Sequence, residues 1–321
     1  MRRRAVLASP ALAAGASAQA QLQPQAQPQP QAPLTLSLAT ATAGGGFPAY
    51  GAAFAAAVTA ADPTLIIEPR NTAGSLENVN LLAEGRVDLG LVAGETATAA
   101  LASGRGTTLL FAMYAQPGLF GLRADHAARS IADLRGQRVA WGARGSGFVV
   151  LARQVMTGLG LDMERDFQGV LLDRAGDGPA MVMDGRVAAL WGGGAGWPGF
   201  VAIARGPQGL RFIGPDAAER ARILAADPAL RPMALPSGSY PGQTAAVDSV
   251  GTWSLVLARP GLDEEVGYRL AAALHRARAD LGTRLAQASE TTAENTASAV
   301  TDPALIQPGV RRFLRGLGLL G

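Results

Sequence analysis

Apolar residues along this chain follow two periods in turn, and the switch between them recurs. Leu34-Thr35-Leu36-Ser37-Leu38 alternates apolar and polar residues, the period of a strand. It runs into Gly44-Gly45-Gly46, after which Tyr50, Phe54, Val58 and Ala61 recur at helical spacing until Asp62-Pro63 ends the helix. Leu65-Ile66-Ile67 predicts a short buried strand leading to a second turn, Thr72-Ala73-Gly74-Ser75. Ser75 is expected to N-cap a helix that buries Leu76, Val79 and Leu82. Strand, turn and helix in repetition imply an α/β fold with a parallel sheet.

The same alternation returns further along. Glu84-Gly85-Arg86-Val87 is echoed by Asp184-Gly185-Arg186-Val187, each closing an apolar helix on a glycine before a short strand. Between them Val139-Ala140-Trp141 reads as a strand, and Gly145-Ser146-Gly147 opens a helix with Phe148, Leu151, Val155 and Leu159 inward. Val250 to Ala258 predicts a long strand, and Asp263 to Leu285 an amphipathic helix through Val266, Leu270, Leu274, Ala277 and Leu281. Residues 34–120 and 245–321 are expected to form one lobe and 121–244 a second. Two chain crossings would place a cleft between them, where ligands tend to bind.

The N-terminus adds a targeting signal to this picture. Arg2-Arg3-Arg4 precedes a weakly apolar stretch from Ala5 to Ala16, with small-residue cleavage sites near Ala18 and Ala20. Residues 1–20 are thus expected to be a cleaved signal peptide, routed by Sec or, given Arg3-Arg4, by Tat. Gln21 to Pro33, all Gln, Ala, Pro and one Leu, reads as a disordered linker. Removing the leader takes three of 28 basic residues and none of 25 acids, which leaves the mature chain near neutrality. That balance offers no footprint for nucleic acid or anionic membrane, and no stretch beyond residue 20 reads as a membrane span.

Composition narrows the chemistry. The chain has no cysteine, hence no thiolate nucleophile or Cys-ligated zinc. Every basic residue is arginine, and without lysine neither a Walker A loop nor a pyridoxal Schiff base is open to it. His126 and His275 lack metal-ligand spacing, and Gly145-Ser146-Gly147 is not a G-x-S-x-G nucleophile elbow. Neither a catalytic residue, a cofactor nor a metal is therefore expected. What remains are three glycine-bearing turns at helix starts, where unpaired N–H groups and the positive end of the helix dipole favour an anion. Glycine also lets a ligand approach the backbone closely.

Gly44-Gly45-Gly46-Phe47, Thr72-Ala73-Gly74-Ser75-Leu76-Glu77-Asn78, Glu84 to Asp88, Leu134 to Val139, Gly145 to Gly147, Asp184 to Val187 and Tyr240 to Gln243 occur in this order. Together they resemble the solute receptors of TAXI type, the binding subunits of one class of TRAP transporter. The resemblance covers about residues 34–315. It implies a type II periplasmic-binding-protein fold, two lobes that hinge shut over a small organic acid such as glutamate or a dicarboxylate. It further implies a periplasmic, monomeric protein without enzymatic activity that delivers ligand to an ion-coupled permease, fused or in separate subunits.

Candidate ligand contacts follow from the turns and the resemblance. They are Gly45, Gly46 and Phe47; Thr72, Gly74, Ser75 and Asn78; and Gly145, Ser146 and Gly147. Arg144 is expected either to clamp a second carboxylate or to lie solvated. Glu95 stands where a ligand amino group would be read, and Tyr114, Trp197 and Tyr240 are candidate pocket walls. The sequence departs from the family pattern at Ala93-Gly94-Glu95-Thr96, at Arg144 and at Trp197. Two other readings stay open: an exported module presenting ligand to a sensor kinase, and a nucleotide-dependent oxidoreductase built on the G-x-G-x-x-G match Gly194 to Gly199, with Asp216 downstream.

Overall fold

The computed structural model describes residues 33–321. The expected signal peptide and all but the last residue of the expected linker lie outside these.

In chain order, β1 (Leu34–Ala39), α1 (Gly46–Ala61), β2 (Leu65–Arg70), α2 (Ser75–Ala83), β3 (Leu89–Val92), α3 (Gly94–Ala102) and β4 (Thr108–Pro117) lead to β5 (Leu119–Arg123) and β6 (Arg138–Ala143). There follow α4 (Gly147–Gly158), β7 (Gln168–Leu172), α5 (Gly178–Met183), β8 (Ala189–Gly192), α6 (Pro198–Ala204), β9 (Leu210–Ile213) and α7 (Ala217–Ala226). The chain closes with β10 (Arg231–Leu235), β11 (Val247–Ala258), α8 (Glu264–Arg284), α9 (Ala293–Ser298) and α10 (Pro308–Gly316).

These strands make two mixed sheets on a common plan. The first runs β10-β11-β3-β1-β2 with β4 also paired to β11, and the second runs β7-β6-β8-β5-β9. In each, three parallel strands (β2, β1, β3 and β7, β6, β8) are followed by an antiparallel one, β11 or β5. The two echoed segments occupy matching places, at the helix-to-strand turns before β3 and β8. Gly85 and Gly185 there have φ of +68° and +79°, where a side chain would be strained. The α/β class read from the sequence is therefore present twice over.

The chain leaves the first sheet from β4 into β5 and returns from β9 through α7 to β10. β4 passes into β5 through Gly118, whose N–H donates to the Val250 carbonyl at 2.9 Å. β11 is shared: Leu255 to Ala258 pack in the first sheet's core, whereas Val250 packs in the second's. The first core stacks Tyr50, Phe54, Phe111 and Tyr114; the second stacks Phe120, Trp141, Phe167 and Trp191.

Two local expectations fail: β2 forms but is only half buried, with Ile66 37% exposed between buried Leu65 and Ile67, and α2 does not bury Leu76. β1 forms as expected and is buried on both faces from Leu36 onward, as a parallel strand covered by helices must be. Its inward Ser37 is satisfied by hydrogen bonds to the Asp88 carboxylate, at 3.0 Å from its N–H and 2.9 Å from its hydroxyl. Leu76 is 49% exposed, and α2 instead buries Ser75, Asn78, Leu81 and Leu82. Polar residues took that face because two of them tie the helix to neighbouring loops, as the site shows.

Candidate functional site

Parallel strands send their helices off from one edge of a sheet, and here both such edges face each other. β1 leads to α1, β3 to α3, β6 to α4 and β8 to α6. Ligands in open α/β sheets bind outside these carboxyl ends. Between the two edges lies a cavity of about 40 Å³ open to the centre of a water molecule. It brings together the predicted Gly45, Gly46, Phe47, Gly74, Ser75, Tyr114, Ser146, Gly147 and Trp197. Thr42, Gln116, Phe148 and Trp191 also line it and were not anticipated. Tyr114 and Gln116 are two apart on β4 and so share a face, a signal present in the sequence.

The three glycine turns end differently. α1 starts at Gly46 with no side-chain cap. Ser146 caps α4, its Oγ accepting from the Phe148 N–H at 3.1 Å. α2, however, is not capped by Ser75. The N-cap is Gly74, whose φ of +122° a side chain would not tolerate. Ser75 instead begins the helix and its Oγ accepts from the Ala93 N–H at 3.0 Å, joining α2 to the end of β3.

Several predicted contacts stand outside the cavity. Asn78 donates to the Thr40 and Leu91 carbonyls, both at 2.7 Å, and Thr72 hydrogen-bonds Asn78 Oδ1 at 2.7 Å. These residues lock the loops after β1 and β3 from behind. The Tyr240 hydroxyl accepts from the Trp197 N–H at 2.8 Å and donates to the Gly194 carbonyl at 2.6 Å, so it supports the Trp197 wall. Burial pushes its phenol pKa up. Gly145 packs on the Ala73 carbonyl. Arg144 points outward, its side chain 69% exposed and 3.7 Å from the exposed Asp173 carboxylate. Arg144→Ala is accordingly expected to leave affinity for any bound acid within about twofold of wild type, as read by calorimetry.

Glu95 is more informative. It is 8% exposed, with Oε2 accepting from the Thr252 hydroxyl at 3.0 Å and Oε1 without a partner. Burial pushes its carboxyl up to about 7, against hydrogen bonds from its own backbone and Thr252 that pull it down. It sits behind the cavity wall, its Oε1 3.2 Å from where a Gly147 Cβ would stand. No charged side chain lines the cavity itself.

The Gly194 to Gly199 segment follows β8 as the dinucleotide pattern requires, but its space is filled. A Cβ at Gly192 or Gly199 would lie 2.6 or 2.4 Å from the Trp197 ring. These glycines make room for tryptophan.

Two α/β layers with a cavity at their facing strand ends define the fold of the periplasmic solute-binding proteins. Among solved structures, the chain is similar to MatC from Rhodopseudomonas palustris with bound malate, at 18% identity over 88% of this chain and 95% of that one, TM-score 0.53. It is also similar to the alkanesulfonate-binding protein SsuA from Xanthomonas axonopodis pv. citri bound to MOPS, at 18% identity over 88% and 84%, TM-score 0.47. A TctC solute-binding protein from Polaromonas matches at 18% identity over 82% and 90%, TM-score 0.48. The model of the NMT1-like family matches residues 38–318, and the chain belongs to that family. No curated protein matches the sequence. Among the described residues no helix is long and apolar enough to cross a membrane.

Proposed function

We propose that this protein is an exported receptor of TAXI type that grips a small organic acid by its carboxylate and hands it to a TRAP-type membrane permease. The carrying observation is that α1, α2 and α4, from both sheets, begin around one enclosed cavity with no charged side chain in its wall. Each start supplies unpaired N–H groups and positive dipole, which together hold an anion without a counter-cation. The two layers act as lobes that part about β4 and β11 to admit ligand and shut to enclose it. Contacts already join them: the Ala175 N–H donates to Thr42 Oγ1 at 3.1 Å, and the Gly176 N–H to the Ala43 carbonyl at 3.2 Å.

The test is a thermal-shift screen of the chain from residue 21 against carboxylic acids, amino acids and dinucleotides. Selective native-state binding is expected to raise Tm by several degrees with an organic acid at saturating concentration. Stabilisation by a dinucleotide alone would overturn the receptor reading.

A further inference from the structure

We infer that the cavity selects an acid with a single charge: one carboxylate on a short apolar body, rather than a dicarboxylate or a zwitterionic amino acid. The inference rests on the receptor reading above and narrows its ligand.

The hydroxyls around the cavity are already engaged on their acceptor side. Thr42 Oγ1 accepts from the Ala175 N–H, Ser75 Oγ from the Ala93 N–H, and Ser146 Oγ from the Phe148 N–H, at 3.1, 3.0 and 3.1 Å. A hydroxyl carries one proton and two lone pairs, so what each keeps for a ligand includes its donor. None of the three protons is used in a hydrogen bond among the described residues. The Tyr114 hydroxyl also keeps its proton free, although its acceptor side is not engaged. Its residue is 1% exposed, it makes no hydrogen bond among the described residues, and it lies 3.3 Å from where a Gly46 Cβ would stand at the start of α1. Gln116, 3% exposed, adds an amide to the lining. Donors and helix starts thus converge on one anionic group, and a carboxylate has lone pairs for about four of them.

The rest of the wall offers nothing to a second charge. Phe47, Phe148 and Trp191 are apolar surface there, the Trp191 indole N–H being spent on the Phe148 carbonyl at 2.9 Å. The Trp197 indole nitrogen, by contrast, lies 3.2 Å from where a Gly46 Cβ would stand and adds one more donor beside Tyr114. A distal carboxylate would be desolvated without a cation, because Arg144 faces solvent beside Asp173. An ammonium would need an anionic acceptor. The Glu95 carboxyl lies behind Ala93 and Gly147, which are in contact, and its burial raises its pKa to about 7, so that it is only partly ionised at neutral pH.

Four-carbon acids that differ in one group decide the matter: butyrate, succinate, 4-aminobutyrate and 2-aminobutyrate, titrated into the full mature chain by calorimetry. Butyrate is expected to bind at least about tenfold tighter than each of the others. Tyr114→Phe, which removes only the hydroxyl, is expected to weaken butyrate about fivefold or more with Tm unchanged. Succinate or an aminobutyrate binding as tightly as butyrate overturns the single-charge inference and leaves the organic-acid receptor standing. Binding of none of the four, in a protein stabilised by some ligand that lacks a carboxylate, overturns both.

Discussion

Gly147→Ala is expected to cost the protein its tight grip on ligand while leaving it folded. Gly147 is the first residue of α4, and a Cβ added there would lie 2.1 Å from the Ala93 Cβ, 3.1 Å from Ser75 Oγ and 3.2 Å from Glu95 Oε1. Its φ is not in the left-handed region, so alanine fits the backbone and only the contact is at issue. Both methyl carbons would be fixed to main chain, one on each layer, and no rotamer relieves them. Neighbouring contacts are as close: a Cβ at Gly145 would stand 2.6 Å from the Ala73 carbonyl oxygen, and one at Gly44 2.5 Å from the Gly176 Cα. The layers therefore meet through backbone, and an added methyl there is relieved by their moving apart. Overpacking of this kind costs about 1–3 kcal/mol, which taken from the closed form alone weakens capture by about 5- to 150-fold. Calorimetry with the acid found by thermal shift measures the loss. Solution scattering of the ligand-bearing variant should show a larger radius of gyration than the wild type, with Tm of the free protein within a few degrees. Wild-type affinity in Gly147→Ala would show that the Ala93–Gly147 contact plays no part in closure. Gly74→Ala is a poorer probe, because its φ of +122° adds strain to the clash.

The three glycine turns were legible because each lies where a strand period gives way to a helix period, and that switch is local. The repeated helix–glycine–strand unit was legible for the same reason. What decides the use of a side chain at such a turn is the backbone direction, which the sequence does not encode locally. Ser75 has the chemistry of an N-cap, but the cap falls on Gly74 and frees the serine to hold β3. Arg144 adjoins the cavity turn in sequence, yet the turn sends it toward Asp173, at the end of the neighbouring β7. Thr42 was passed over because its partner, the Ala175 N–H, is 133 residues away. Trp197 stands within a glycine pattern that suggests nucleotide, but of its glycines Gly199 makes space for the tryptophan ring and Gly194 abuts the Gln287 side chain. For Ser75, Arg144 and Thr42 the deciding contact comes from the other side of the cavity or from an adjacent strand.

Glu95→Gln is expected to make the protein more stable at alkaline pH and to leave it nearly unchanged in acid. Burial at the start of α3 raises the folded-state pKa of Glu95 from 4.5 to about 7, and its Oε1 finds no donor to compensate. The folded protein thus holds this proton more tightly than the unfolded chain does. Below pH 4.5 both states are protonated and the contribution is fully present. As pH rises from 4.5 the unfolded chain ionises first, and stability falls by about 1.4 kcal/mol per unit until the folded carboxyl ionises near 7. The whole loss amounts to about 3 kcal/mol. Glu290, also raised by burial, acts in the same direction. His126 opposes them: burial, with the charges of Arg211 and Arg123, lowers its pKa, so its contribution is lost as pH falls below 6.5. Asp62 and Asp88, both lowered, matter only in more acidic solution. Subtracting the Glu95→Gln curve from the wild-type curve removes these common effects. Glutamine keeps the shape, and its amide N–H₂ or oxygen can serve the Thr252 hydroxyl without ever ionising. Chemical denaturation at pH 4.5 and pH 8.5 should therefore give similar stabilities for the two proteins in acid and a variant more stable by about 2–3 kcal/mol in base. Parallel curves across that range would mean that Glu95 is solvated or paired in the folded protein and that the contact between Ala93 and Gly147 does not seal it.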